Sequence, residues 1–290
     1  MNLYSINTGY FKLDGGAMFG VVPKSIWNKL NPADENNMCS WALRCLLIEE
    51  GNKLILIDNG MGDKQDAKFF GHYYLHGTDT LDASLAKHGF TKDDITDVFL
   101  THLHFDHCGG SISRAGDKLV PAFKNATYWS NERHWKWATE PNEREKASFL
   151  RENILPIAES RQLKFLETKP ENENDSKRTV YATPLIPQLT FILVNGHTDA
   201  MMLPRIDYKE KTIVYMADLL PSMAHIPLPY VMAYDMFPLT TLHEKKSFLT
   251  DAQQSDHILF FEHDPLTECC NLQLTERGIR QKDIFTLGEI

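Results

Sequence analysis

The strongest constraint on this sequence comes from the metal-ligating side chains of residues 102–107, which read H-x-H-x-D-H. Side chains two residues apart in an extended segment lie on the same side, so we expect His102 and His104 to point toward one cation. If the chain turns after residue 105, Asp106 and His107 reach a second cation nearby. Imidazole and carboxylate ligands without a thiolate suit Zn²⁺ first, with Fe, Mn or Co as alternatives. The segment therefore predicts a site for two divalent metal ions.

Four ligands cannot complete the coordination of two cations, so such a site requires further histidine or acidic residues later in the chain. Three candidates each follow an apolar, β-leaning segment: His197, Asp218 and His263. A lone histidine after a strand is more often a structural residue, but the three candidates after residues 102–107 form a consistent set. Because ligands between positions 102 and 263 have to converge, we expect a single domain over residues 1–290.

The order of these features resembles the metallo-β-lactamase-fold hydrolases over about residues 41–265: H-x-H-x-D-H, a Gly-His-Thr segment at 196–198, an acid at a strand end and a late histidine. The resemblance implies an α/β (α+β) fold, the four-layer αββα sandwich, with the metals at the edge where its two sheets meet. It also implies that residues 1–40 are a pocket-forming extension of the same domain. By this resemblance one metal is held by His102, His104 and His197, the other is held by Asp106, His107 and His263, and Asp218 bridges them.

The chemistry that this site implies is hydrolysis. Two divalent cations that share a water lower its pKa until it is hydroxide near neutral pH, and the bridging hydroxide attacks a carbonyl or phosphoryl centre. The candidate catalytic residues are Asp106, Asp218 and His225, the last as a substrate contact or proton donor, with an ordinary core position as the alternative. The resemblance gives Asp58 a role in orienting the ligand-bearing loop, with a simple turn acid as the alternative. Cys108 is interpreted as a small buried residue, because the ligand set is complete without it.

Several residues of this chain differ from those of known branches of the family, and these differences limit the branch to which the chain can be assigned. Asp218 stands where the commonest zinc β-lactamases carry Cys, and His104 stands where flavodiiron carriers have Glu. Glyoxalase II enzymes usually have Pro-Gly after Gly-His-Thr, whereas this chain has Asp and Ala at 199–200. Residues 14–23 and 217–221 are most similar to the quorum-quenching lactonase and methyl-parathion-hydrolase-like branch.

That branch predicts a dinuclear zinc-dependent hydrolase of a lactone, ester or organophosphate. Well-known lactonases place a Tyr three residues after the bridging Asp, where this chain has Pro221, so Tyr230 or Tyr234 would have to substitute. Four residues are candidates for the pocket lining or for ordinary core packing: Met18, Phe19, Trp27 and Phe105. Two alternatives stay open. One is a non-hydrolytic di-metal module, either a di-iron redox carrier or a binding protein, and the other is a thioester hydrolase of the glyoxalase II type.

Composition restricts the partners and the compartment. The 290 residues contain 30 Lys and Arg against 39 Asp and Glu, a net charge of −9, which disfavours binding to nucleic acid. We find neither an apolar stretch of bilayer length nor a secretory signal, and the 5 cysteines form no C-x-x-C pair. We therefore expect a cytoplasmic protein with a small-molecule substrate and no nucleic-acid or membrane partner, and we leave a homodimer open.

Hydrophobic periodicity and turn signals predict the elements that carry these residues. Residues 1–40 are interpreted as an anchored loop region with at most one strand, and 170–178 as an exposed polar loop. A hairpin is predicted over 41–57. Further strands are predicted at 97–101, 126–130, 190–194, 212–217 and 258–261, and helices at 78–88, 131–139, 143–152 and 241–255.

Overall fold

The computed structural model describes residues 1–168 and 179–290, so the loop predicted at 170–178 lies outside the described residues. Residues 1–168 contain the strands β1 (Asn2–Asp14), β2 (Met38–Glu50), β3 (Lys53–Ile57), β4 (Asp97–Phe99), β5 (Ile112–Ala115), β6 (Lys118–Pro121), β7 (Thr127–Ser130) and β8 (Leu163–Phe165). Residues 179–290 contain β9 (Val180–Ala182), β10 (Leu189–Val194), β11 (Met201–Tyr208), β12 (Lys211–Tyr215), β13 (Ile258–Phe260), β14 (Cys269–Thr275) and β15 (Gly278–Phe285).

The helices are short except for the last one. They are α1 (Gly15–Phe19), α2 (Lys24–Trp27), α3 (Ala67–Tyr73), α4 (Leu81–Lys87), α5 (Phe105–Cys108), α6 (Glu132–Thr139), α7 (Arg151–Glu159) and α8 (Pro238–Gln254). Polar caps start several of them: the Thr80 hydroxyl accepts from the Ala83 amide at α4, and the Asn131 side chain accepts from the His134 amide at α6. No helix in residues 1–168 or 179–290 combines the length and the apolarity that a membrane span requires.

Most strands belong to two mixed sheets. The first has the order β1-β2-β3-β4-β7-β8, with parallel pairing from β3 to β8. The second has the order β15-β14-β13-β12-β11-β10-β9, in which only the β12–β13 pair is parallel among the described strands. The remaining strands, β5 and β6, form a separate two-stranded ribbon.

The two sheets pack face to face with helices outside. Ile55 and Ile57 of β3 share one core with Phe191 of β10, whereas the alternate residues Leu54 and Leu56 lie in a second core together with α4 and α7. This alternation follows from the period of two in a strand, which gives each sheet two buried faces. The helix α8 packs against β14 and β15 on the far side of the second sheet. The layers are therefore helices, sheet, sheet and helix, which confirms the predicted αββα sandwich.

Two predicted elements differ in the structure. β1 is a strand of 13 residues that pairs with β2, with an irregularity between Asn7 and Tyr10. Gly9 has a φ of +125° there, so the bulge changes which side chains face the core and hides the alternation in the sequence. The helix predicted at 143–152 is also wrong in position: the helix in this region is α7, Arg151–Glu159. The hairpin over 41–57 and the helix predicted at 241–255 are confirmed.

Candidate metal centre

The candidate ligands occupy equivalent positions at one edge of the sandwich. β4, β10, β12 and β13 end at residues 99, 194, 215 and 260, and 3 residues after each end stand His102, His197, Asp218 and His263. The β12–β13 pair is parallel, and β10 runs in the same direction because two antiparallel pairings separate it from β12. Carboxyl ends of co-directional strands meet at a common edge, so distant parts of the sequence converge there.

The first cluster contains His102, His104, His197 and Asp218. Nδ1 of His104 lies 3.1 Å from Nε2 of His102 and 3.2 Å from Nε2 of His197. Asp218 Oδ2 lies 3.1 Å from the same His197 nitrogen. Four ligands at about 2.0–2.1 Å around a tetrahedral zinc ion stand about 3.3 Å apart, so these spacings fit such an ion.

The second cluster contains Asp106, His107 and His263. Nε2 of His107 and Nε2 of His263 are 3.1 Å apart, and Asp106 Oδ2 lies 3.9 Å and 3.8 Å from them. The other oxygen of Asp218, Oδ1, is 3.2 Å from the His263 nitrogen yet has no hydrogen-bond partner although it is buried. One carboxylate therefore faces both clusters, as the bridging role of Asp218 requires.

In each of these histidines, one ring nitrogen faces its cluster and the other, the outward nitrogen, faces away from it. The hydrogen-bond partner of the outward nitrogen determines which nitrogen carries the lone pair. His104 Nε2 is 2.9 Å from Glu145 Oε1, and His197 Nδ1 is 2.9 Å from Asp235 Oδ1. His263 Nδ1 lies 2.8 Å from the Ala42 carbonyl. Carboxylates and carbonyls only accept, so in each neutral ring the outward nitrogen carries the proton and the inward nitrogen carries a lone pair.

The same reasoning applies to the remaining two imidazoles. Thr101 Oγ1 donates to Asp58 Oδ2 at 2.7 Å, so the hydroxyl accepts from His102 Nδ1 at 3.0 Å. His107 Nδ1 faces two carboxylates, Asp58 Oδ2 at 3.1 Å and Glu262 Oε2 at 3.0 Å. Inward lone pairs that face one another repel unless a cation lies between them, so this donor set fits bound divalent metal ions.

In the metal-free protein, protons bind to imidazoles of the two clusters in place of metal ions. Burial lowers the pKa of His197, but the Asp218 and Asp235 carboxylates raise it more, to about 10. Burial also lowers the pKa of His263, and Asp218 with Glu262 raises it to about 9. Metal binding therefore displaces protons and weakens as the pH falls.

The loop that carries H-x-H-x-D-H is held by its backbone. The Leu103 amide donates to His134 Nε2 at 2.9 Å, and the chain then enters the single turn of α5, which aims Asp106 and His107 at the second cluster. Gly109 packs directly on the Met61 carbonyl, where a β-carbon would lie 2.1 Å from the oxygen. Asp58, which accepts from the Thr101 amide at 2.8 Å, also contacts this loop.

A cavity of about 370 Å³ opens above the two clusters and is lined by His104, Asp106, His197, Asp218 and His263. One wall is apolar and contains Leu13, Met18, Phe105 and Met232, which pack in one hydrophobic cluster. Tyr73, Arg144 and Tyr234 supply polar groups. A second cavity of about 380 Å³, near β1 and residues 75–82, is lined by none of the candidate ligands in the described chain, so chemistry rather than size identifies the site.

Some candidates from the sequence stand away from this cavity. His225 is buried behind the wall: its Nδ1 is 2.8 Å from Ser222 Oγ, its Nε2 is 2.9 Å from the Met18 carbonyl, and its ring stacks on Phe19. Phe19 stacks in turn on Trp27, which is also buried. His225 therefore supports the wall, and we do not include it among the groups that contact substrate.

The structure adds residues that the sequence did not single out. Glu145, Asp235 and Glu262 are buried acids that face outward nitrogens of candidate ligands. Burial raises the pKa of Glu145, but hydrogen bonds with His104 and Trp137 lower it to about 2, so its carboxylate is ionised. Of these three acids, only Glu262 could have been found from the sequence, because it directly precedes the candidate ligand His263.

Comparisons with known proteins agree with this architecture. A sequence profile described as the metallo-beta-lactamase superfamily matches residues 44–263, more than half of the chain. A probable metal-dependent hydrolase from Staphylococcus aureus is 28% identical, with a TM-score of 0.85 over 98% of this chain and 96% of that one. The dizinc quorum-quenching lactonase AidC, solved with a product, is 24% identical, with a TM-score of 0.74 over 97% and 93%. The hydrolase AbOPH is 19% identical, with a TM-score of 0.73 over 98% and 94%. No curated protein sequence matches.

Proposed function

Because the chain belongs to the metallo-beta-lactamase superfamily and is a hydrolase of that superfamily, we propose that it uses two zinc ions to cleave an ester or lactone of a small molecule. The observation that carries this proposal is the pair of clusters with inward lone pairs below a cavity that has one apolar wall. The likeness to a dizinc lactonase supports both the metal and the bond class. An apolar wall suits the acyl part of such a substrate.

Each zinc ion has a set of ligands in this proposal. His102, His104 and His197 would hold one ion, Asp106, His107 and His263 would hold the other, and Asp218 would serve both. Bound zinc supplies Lewis acidity, which lowers the pKa of water and polarises a carbonyl oxygen. The outward partners of the imidazoles, Glu145 and Asp235 among them, keep the rings oriented.

Two further groups act on the reacting molecule. Asp106 lines the cavity, and its Oδ2 lies within 4 Å of two ligand nitrogens, so it is placed to accept the proton of the attacking water and to return it to the leaving oxygen. Tyr234 also lines the cavity, and within the described chain its hydroxyl has no hydrogen-bond partner. It is our candidate for the phenol that Pro221 cannot supply, whereas Tyr230 packs against Phe19.

The experiment that tests this function combines metal analysis with a substrate panel. Zinc-reconstituted protein is analysed by elemental mass spectrometry and assayed on a 4-nitrophenyl ester, a lactone, a thioester and a phosphotriester. We expect two zinc ions per chain and turnover of the ester or lactone. Asp218→Ala should lose one zinc and most activity, and His243→Ala, at an exposed histidine outside both clusters, should retain both.

Each adverse outcome has a distinct meaning. Two zinc ions without turnover of any compound would refute the substrate class. Unchanged zinc content in Asp218→Ala would refute the bridging role. Iron with a visible absorption band and no hydrolysis would favour the redox alternative, and preference for the thioester would favour the glyoxalase II type.

A further inference from the structure

A single guanidinium stands on the rim of the cavity. Arg144 lies in the segment between α6 and α7, beside Glu145, and is exposed. Among the described residues that line the cavity it is the only Lys or Arg. The cavity thus has an apolar wall on one side, the metal clusters at its base and one fixed positive charge at its rim.

Arg144 is held in place without being neutralised. Its Nη2 donates to the carbonyl of Ala233 and, at 3.4 Å, to that of Asp235. Neutral carbonyls leave the positive charge in place, and the remaining N–H groups of the planar fork stay available. No carboxylate within residues 1–168 and 179–290 forms an ion pair with it.

The acidic residues next to the contacts of Arg144 form hydrogen bonds with other side chains. The Glu145 carboxylate accepts from Trp137 Nε1 at 2.6 Å and from His104, and Asp235 is taken by His197. Two neighbouring cations are paired with acids: Arg133 Nη2 is 2.5 Å from Asp199, and Lys146 Nζ is 2.5 Å from Glu143. Arg144 has no such acid among the described residues, although the chain as a whole is acidic.

We propose that Arg144 binds a carboxylate of the substrate, so that the preferred substrates are esters or lactones that carry a carboxylate away from the bond to be cleaved. This inference rests on the proposed hydrolytic function and names the substrate class. A guanidinium matches a carboxylate in two parallel hydrogen bonds, so an anchored Arg144 sets both the position and the orientation of the bound molecule. The acyl chain then lies between the rim and the metal clusters, along the apolar wall.

The test uses two esters with the same leaving group and acyl length, mono-4-nitrophenyl glutarate and 4-nitrophenyl pentanoate, of which only the first is anionic. Arg144→Gln keeps a polar, hydrogen-bonding side chain at this position but removes the charge. We expect kcat/KM for the glutarate ester to fall about tenfold, mainly through KM, and that for the pentanoate ester to change less than about twofold. Lys146→Gln, on the same segment but outside the cavity, should change neither.

A binding measurement separates this inference from the proposed function. Free glutarate is titrated into metal-free wild-type protein and the Arg144→Gln variant by calorimetry, and we expect weaker binding to the variant. Equal losses on both esters, or equal glutarate affinities, would overturn the proposal and leave Arg144 a structural clamp on residues 233–235. If neither ester is turned over, the hydrolytic function fails, and calorimetry alone decides whether Arg144 binds carboxylates.

Discussion

At the scale of single residues, the histidine ligands are defined as much by their outward partners as by their own positions. His197 turns Nε2 inward because Asp235 accepts the proton of Nδ1 at 2.9 Å, and both residues are buried. An uncharged acceptor would hold the ring less firmly and make it a weaker base. The outward acids therefore contribute to metal affinity without contacting the metal.

Asp235→Asn tests this contribution. The side-chain shape is retained, but the charge that favours a basic Nε2 on His197 is lost, so we expect zinc affinity to fall about 10–100-fold. Competition with a chromophoric chelator measures the affinity, and Asp256→Asn, at an exposed acid paired with Lys211, is the matched control. Unchanged affinity in Asp235→Asn would show that the hydrogen bond alone orients His197.

At the scale of elements, the loop after β4 depends on close contact between backbones. A β-carbon on Gly109 would lie 2.1 Å from the Met61 carbonyl oxygen, so Gly109→Ala has to displace one of the two chains. We expect a loss of about 2–4 kcal/mol in the free energy of unfolding, measured with denaturant, and lower zinc occupancy. Gly71→Ala, in α3 with open space around its β-carbon, should be neutral or slightly stabilising. Equal stabilities of the two variants would contradict the predicted clash.

The contact between α6 and the same loop predicts a pH dependence. Burial lowers the pKa of His134 to about 4, from an ordinary value near 6.5, and its Nε2 accepts from the Leu103 amide. Between these values the unfolded chain binds a proton that the folded chain refuses, so this residue removes about 3 kcal/mol of stability as the pH falls from 7 to 4. His134→Gln cannot titrate, so its unfolding free energy in metal-free protein should fall less steeply over this range.

The exposed His243 supplies the comparison for that measurement. His243→Gln should follow the wild-type pH profile from pH 7 to 4, because the replaced side chain is exposed. Parallel profiles for wild type and His134→Gln would mean that the buried imidazole accepts a proton in the folded state, contrary to the neutral form that the Leu103 contact requires.

Local hydrophobic patterns correctly predicted the strands and helices whose conformation depends mainly on residues close by in the sequence. The hairpin β2–β3 follows from two apolar segments around a turn, and α8 from a helical period. β1 was underestimated because its bulge breaks the alternation. At the predicted helix 143–152 the structure has turns over 143–148, where the Asn142 side chain accepts from the amides of Arg144 and Glu145. The Glu145 carboxylate contacts His104 from a different part of the chain. Such a contact has no signature in the local sequence.

At the scale of the whole molecule, the sequence predicted that the candidate ligands converge on one site, but it did not predict which other residues surround that site. The fold was predicted from the resemblance to the metallo-β-lactamase-fold hydrolases that the order of H-x-H-x-D-H and the three later candidates carries. Glu145, Asp235 and Arg144 were beyond such reasoning, because they lie in loops whose positions depend on packing across the cavity. Arg44 shows how the sheets are joined at this edge: its Nη1 donates to the Phe261 carbonyl at 2.7 Å.

Because the candidate ligands come from both sheets, metal binding should stabilise the entire fold. His102 and His107 follow the first sheet, whereas Asp218 and His263 follow the second, so bound ions connect the two halves of the sandwich. Ions that bind only the folded chain add RT ln(1 + [L]/Kd) to the free energy of unfolding, which is about 4 kcal/mol when free zinc is 1,000 times the dissociation constant.

Chelation with EDTA should therefore lower the midpoint of thermal unfolding by several degrees, and added zinc should restore it. For a chain of this size the shift is about 2–4 °C per kcal/mol. Calorimetry at matched protein concentration measures the shift, and Asp218→Ala should reduce it. An unchanged midpoint would mean that the clusters bind no metal in the folded protein.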